Sequence, residues 1–247
     1  MLHLMLAAAV SAPFTPERAL AAVARDDDEV AACTKTDPHA MLEALSLKQI
    51  SSDPQLYLVE LFHQCVCGAQ NCPYWVYRVN GSSAVKLLDG YAIDVKIVTP
   101  EHGDGPPEID EIAHESAALQ NETDYRYRDG AYVKAGLYEI FDSERKPATK
   151  PLAFAAGASS ARLAGRVAFE WGDAYAFQAS AGQVVQISDV RAERAIVVRV
   201  HGAHFDRTVT AATPLRLPAN GNYTLTVDVG NDDNPEITGY ALTLSIR

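Results

Sequence analysis

Three of the four cysteines, Cys65, Cys67 and Cys72, fall inside the segment Phe62 to Val79 (FHQCVCGAQNCPYWVYRV), and this segment limits the fold more than any other. Cys67 and Cys72 bracket a short Gly-Ala-Gln-Asn loop, a spacing that suits a disulfide clasp at the start of a strand. Pro73 to Val79 then has the aromatic and β-branched content of a strand, and Asn80-Gly81 behind it is a hairpin signal. Closely spaced cysteines favour pairing in an oxidising compartment, which leaves Cys33 for Cys65, although four cysteines allow three pairings. The rival is a zinc site. Cys65-x-Cys67 and the step to Cys72 do not form the paired C-x-x-C knuckles that a zinc ribbon needs, so no metal is expected there. A stiffened loop on a β-module suits a binding surface better than a reaction centre.

The start of the chain points to export. Leu2 to Val10 is apolar, and Val10-Ser11-Ala12 has the small residues of a cleavage site, so residues 1–12 read as a signal peptide. No Lys or Arg precedes the run, and a core helix is the competing reading. The run is too short to span a bilayer and nothing later is long enough, so membrane insertion is not expected and the location is periplasmic or secreted. The remaining chain, 48% hydrophobic and 21% charged, has the composition of a folded protein. Its net charge of −11 is uneven: from Pro151 onward eight Arg face nine acids, so residues 1–150 carry −10. Nucleic acid and anionic membrane are poor partners for that surface, and a cationic protein is a good one.

Thr15-Pro16-Glu17 is a helix start, and the helix is expected to end near the acidic run 26–29. Strands follow at Gln55–Phe62 and Pro73–Val79, then at Ala84–Leu88, Tyr91–Val98 and Thr123–Arg128, with a second hairpin at Asp129-Gly130. Glu101 to Asp124 holds eight acids and no Lys or Arg, and reads as a long acidic loop with room for one short strand. Ser143 to Pro151 (SERKPATKP) has linker composition. Beyond it Lys and Cys disappear, and strands recur at Ala161–Phe169, Ala174–Ala179, Val184–Val190, Ala195–Val200, Asn222–Val229 and Gly239–Ile246. The expected fold is therefore mostly β. An N-terminal antiparallel module with a short leading helix (13–142) and a linker (143–153) precede an antiparallel β-sandwich (154–247).

Two families share phrases with this chain. Cys67-Gly68 to Arg78 and the Tyr125 to Tyr132 hairpin resemble exported immunity proteins that neutralise lysozyme-type effectors of bacteria-killing type IV secretion systems. Phe154–Ser160, Tyr175–Gln183, Leu217–Thr224 and Tyr240–Ser245 are similar to periplasmic inhibitors of goose-type lysozyme, and more distantly to pre-peptidase C-terminal β-sandwiches. That inhibitor family carries an arginine-rich loop between its last two strands, where this chain has the acidic Gly230–Glu236. The resemblance thus implies the fold without the goose-type inhibitory surface.

Lysozyme-type enzymes bind an anionic polymer and are usually cationic, so an acidic arm would steer association with one and could block its cleft. The candidate partner-binding residues are Asp104, Glu108, Asp110, Glu111 and Glu115, with Trp75 as an aromatic anchor beside the clasp. The bland readings are a solvated acidic loop and a packed aromatic strand. His102, Asp104, Glu108, Asp110, His114 and Glu115 offer oxygen and imidazole ligands, but their spacing matches no known metal loop. His201, His204 and Asp206 form a second weak constellation, which needs a turn at Gly202. Ser159 and Ser160 lack the surroundings of a nucleophile elbow, no Gly-rich phosphate loop is present, and Cys67 is better read as oxidised than as a nucleophile near His63. The expectation is a non-catalytic, cofactor-free inhibitor or immunity protein for a cationic, lysozyme-type or other peptidoglycan-cleaving enzyme. The alternative is a cell-envelope or carbohydrate-binding module.

Overall fold

The computed structural model describes residues 13–100, 103, 105–202, 205–230 and 236–247. The expected signal peptide, Asp104, His204 and most of the loop after Gly230 lie outside the described residues. The chain divides into two units, Met1–Gly136 and Leu137–Arg247.

The first unit opens with three helices: α1 (Pro16–Asp26), α2 (Asp28–Thr36) and α3 (Pro38–Glu43). Thr15 caps α1, its hydroxyl accepting from the Arg18 amide, and Pro16 occupies the first helical position. The acidic run ends α1 as expected. It also starts α2, because Asp27 is extended (φ −145°) and its carboxylate accepts from the amides of Glu29 and Val30. Asp37 repeats the device for α3.

Behind the helices lies the antiparallel sheet β1 (Leu45–Ser52), β2 (Gln55–Leu61), β3 (Cys72–Asn80) and β4 (Ser83–Ala92), paired in that order. The Asn80-Gly81 signal becomes the β3–β4 turn, with Gly81 at φ 56°, a conformation that glycine adopts freely. β3 is covered on both faces. Trp75, Tyr77 and Val79 join Ala19, Val23, Val30 and Met41 in a cluster beneath the helices. Tyr74 and Val76 join Leu56, Leu58, Ile109 and Tyr132 on the opposite side. The successive residues Tyr74 to Tyr77 are all buried for this reason.

β5 (Asp94–Val98), β6 (Glu108–His114), β7 (Leu119–Arg128), β8 (Ala131–Phe141) and β9 (Glu144–Pro147) form one sheet in that order, and the unit boundary falls within β8. This second layer corrects the acidic stretch in part: the one short strand it was given room for is β6, and β7 begins at Leu119, ahead of the expected Thr123. The acids hid a half-buried strand: Ile109 and Ile112 are buried while Asp110 and Glu111 are only partly so.

In the second unit β10 (Lys150–Pro151), β12 (Asp173–Ala179), β17 (Gly221–Asp228), β14 (Val197–Gly202) and β15 (Phe205–Val209) make one sheet, in that order. The other contains β11 (Ser160–Val167), β18 (Thr238–Ile246), β13 (Val184–Ala192) and β16 (Leu215–Arg216). Alternate residues of both sheets, among them Leu163, Phe177, Ile187, Val200, Leu225 and Leu244, fill a single core.

The segment expected as a linker carries β9 and β10. Lys146 and Lys150 place their ammonium groups 3.2 Å and 2.9 Å from Asp173, which is 1% exposed. The hydroxyl of Tyr240 donates to the same carboxylate at 2.7 Å. Burial alone would raise the Asp173 carboxyl; the two lysines and Tyr240 outweigh it and hold the group below the usual carboxylate range.

Two disulfides, Cys33–Cys65 and Cys67–Cys72, tie α2 to the segment after β2 and that segment to the start of β3. They close sequence separations of 32 and 5 residues. On chain-entropy grounds, replacing Cys33 and Cys65 by Ser should cost about 4 kcal/mol and replacing Cys67 and Cys72 about 2 kcal/mol. Urea midpoints of the two double variants check the order; equal losses would show that loop length does not govern them.

Candidate functional site

The clasp loop does not stand alone. The Gly68 amide donates to the Asn71 carbonyl at 2.8 Å, which folds the loop back on itself inside the Cys67–Cys72 bridge. Before it, the Val66 and Cys67 amides both donate to the His63 carbonyl, and the Cys65 amide donates to His63 Nδ1. Cys67, being oxidised, is no nucleophile.

Asn71 then carries the loop to a distant part of the chain. Its side-chain amide donates to the His114 carbonyl at 3.0 Å, and its side-chain oxygen accepts from the His114 amide at 2.9 Å. One asparagine side chain thus pairs with the end of β6 as a neighbouring strand would. The turn after β6 is held by its own bonds: the Ser116 hydroxyl accepts from the amides of Ala118 and Leu119, and Glu115 accepts from the Asn121 side chain at 2.9 Å.

Between these two turns lies a cavity of about 430 Å³, lined by Gly68 to Asn71, His114 to Ala117 and Tyr91. His114 Nδ1 is buried with no hydrogen-bond partner among the described residues. Tyr91 at the end of β4 is 43% exposed, and Ile93 two residues on is also exposed. Burial raises the Tyr91 phenol, and the carboxylates of Glu29 and Asp27 raise it further, so the acidic start of α2 lies close to this ring. Asp28, Glu29 and Glu115 are themselves exposed. Loop stiffness, an accessible aromatic and negative charge therefore meet at one place on the first unit.

The candidate partner-binding residues fare differently from one another. Glu115 belongs to this place. Glu108 lies at the far end of β6, about 20 Å away along the strand, and pairs with Arg126 at 3.5 Å. Asp110 stands opposite Asp124 in the β6–β7 register, and with Glu122 these acids could bring three oxygens within 4.8 Å of one another. Each of the three takes part in other interactions within the chain.

Glu111 and Trp75 are corrections. Glu111 faces inward and accepts a hydrogen bond from the Tyr74 hydroxyl, so it is committed to the interior. Trp75 is 2% exposed beneath the helices and cannot anchor a partner. In the second weak constellation His201 Nδ1 lies 3.5 Å from Asp206, across the β14–β15 pair. Tyr91 and Asn71 were missed by sequence reasoning. Tyr91 read as one more residue of an alternating strand, and nothing local announces that Asn71 reaches a residue 43 positions away.

Burial raises the Glu111 carboxyl, against the opposing effects of the Tyr74 hydrogen bond and Lys134. Between the ordinary carboxylate value and this raised value, the folded protein holds a proton that the unfolded chain has released. Stability should therefore fall as pH rises through that window. Burial also raises Glu60, which adds a slope of the same sign, so Glu111→Gln should reduce the slope without abolishing it. Chemical denaturation at several pH values checks this, and an unchanged slope would refute it. Asn71→Ala should leave the His114 amide and carbonyl without their partners, at about 1–3 kcal/mol. Hydrogen exchange at His114 should then rise while Thr123 and Tyr125 stay protected; an unaltered His114 amide would refute the coupling.

No protein-family model and no curated protein matches the chain. Among solved structures, it is similar to PliG of Salmonella Typhimurium, a periplasmic lysozyme inhibitor of g-type lysozyme. That match has 23% identity over 41% of this chain and all of that one, at a TM-score of 0.37. It is also similar to a PliG mutant from Escherichia coli, with 24% identity, 40% and 97% coverage, and a TM-score of 0.35. PliG of Aeromonas hydrophila matches with 24% identity, 40% and 96% coverage, and a TM-score of 0.34.

Proposed function

We propose that this chain is an exported, non-catalytic inhibitor or immunity protein that binds and occludes a cationic peptidoglycan-cleaving enzyme of the lysozyme type, through the clasp face of its first unit. The observation that carries the reading is the meeting of the Cys67–Cys72 loop, exposed Tyr91 and Glu115 around one cavity, with Glu29 close to the Tyr91 ring and Asp28 next to it in the chain. A disulfide-stiffened loop loses little entropy on docking, and an accessible tyrosine offers a rigid, amphipathic anchor. Negative charge beside them speeds encounter with a positively charged rim. The motif resemblance of Cys67 to Arg78 and Tyr125 to Tyr132 supports the same reading, since both segments belong to the first unit.

Peptidoglycan lysis by several lysozyme types, followed by turbidity with and without the protein at low and physiological salt, tests the proposal. Stoichiometric inhibition of one enzyme supports it, and no inhibition of any, including a lytic enzyme encoded next to it, would defeat it. Replacing Asp28 by Asn and Glu29 and Glu115 by Gln should slow association about tenfold at low salt and flatten its salt dependence. Glu111→Gln should leave the association rate unchanged, because that carboxyl is half-buried, faces inward and is bonded to Tyr74. A rate that responds to Glu111 and not to the exposed trio would move the contact surface elsewhere.

A further inference from the structure

The outer face of the sheet β10-β12-β17-β14-β15 carries a second cavity, of about 510 Å³, that the inhibitor reading does not use. Val198 and Val200 of β14 are buried in the sandwich core, so the alternating Arg199 and His201 stand on the other face. The β14–β17 register sets Thr226 beside Arg199. The tight turn from Ala168 to Trp171, closed by reciprocal backbone bonds of 3.0 and 3.1 Å, supplies Phe169 and Trp171 to the wall. The volume falls within the roughly 300–1,000 Å³ usual for small-ligand sites.

Two buried donors in this wall, Trp171 Nε1 and Arg199 Nε, have no protein acceptor among the described residues. Trp171 is 1% exposed. Its ring stacks on Phe141 at 5.5 Å, and the Lys146 ammonium sits 3.7 Å from its centroid on the way to Asp173. The indole is therefore held from both the aromatic and the charged side, and cannot turn its N–H elsewhere without breaking those contacts. Acceptors share the same wall. Asp228 accepts from the Gly230 amide with one oxygen and has a second, and the Thr226 hydroxyl is 3.2 Å from His201 Nε2.

We propose that this cavity is a saccharide-binding site. A sugar hydroxyl both donates and accepts, so a ring bearing several can satisfy Trp171 and Arg199 as acceptor and Asp228 as donor at once. A carboxylate ligand would satisfy only the donors while facing the carboxylates of Asp228, Glu139 and Glu170. An ammonium ligand would satisfy only the acids and leave the two donors buried and unpaired. Phe169 adds the apolar surface that the C–H face of a sugar needs.

The chain has two tryptophans, one in each unit, so the indole N–H signal of Trp75 is an internal reference for that of Trp171. In the full ¹⁵N-labelled protein, titration with chitotriose or cellotriose to about 10 mM should shift the Trp171 indole signal saturably and leave Trp75 in place, as a millimolar site requires. Arg199→Met and, separately, Thr226→Val should each weaken that binding at least fivefold. The proposal is overturned if neither saccharide moves the Trp171 signal. It is overturned as well if glucuronate moves it where the neutral sugars do not, or if both variants bind as the parent does. Lysis inhibition measured on the same variants separates this site from the clasp face: loss of sugar binding with inhibition intact is the expected result.

Discussion

The first unit depends on the burial of β3 from both sides. A strand covered on both faces needs two partners, and here the helices meet Trp75, Tyr77 and Val79 while the second sheet meets Tyr74 and Val76. Three layers follow from this, and so does the fixed position of the clasp, since Cys72 is the first residue of that strand. The site is thus a loop sewn to the most deeply held element of its unit, and Asn71 fastens its other edge to β6. A loop anchored at both ends presents its surface in one shape, which lowers the entropy that any docking would cost.

Acidic residues serve two different purposes here, and burial separates them. Glu111 and Asp173 are structural. One accepts from Tyr74 at the interface of two layers; the other gathers Lys146, Lys150 and Tyr240. A carboxylate in such surroundings is held in place by its partners and would be costly to leave alone. Asp28, Glu29 and Glu115 are exposed, contribute little to stability, and act at a distance through the field they create, subject to salt. Net charge counts both kinds equally, so its value of −11 says less about partners than the handful of acids beside the clasp.

Both units also use the same small device. Gly90 pairs with Tyr74 and Gly165 with Tyr240 across antiparallel strands, and each tyrosine ring lies over its glycine. In each case a carboxylate, Glu111 or Asp173, meets the tyrosine hydroxyl at the same spot. A side chain on either glycine would strike the ring and the acid together, so the missing Cβ makes room for the polar contact. The device places a satisfied polar pair inside an apolar layer without opening a void.

What depends on near neighbours was legible in the chain itself. Thr15-Pro16 starts a helix because a hydroxyl and a proline suit those positions whatever lies elsewhere, and Asn80-Gly81 and Asp129-Gly130 turn for equally local reasons. Alternation marked most of the sandwich strands, since burial of one face imposes a period of two. The short strand allowed for in the acidic stretch could not be placed at residues 108–114 because their charges mask that period, and only the packing of Ile109 and Ile112 locates it. The sites were less legible than the fold. Whether Glu111 or Glu115 meets solvent, whether Trp75 is anchor or core, and which residue Asn71 grips are decided by elements tens of positions away. Tertiary structure alone settles them, because burial and hydrogen-bond partnership are properties of the neighbours that folding brings together, and no short stretch of sequence contains those neighbours.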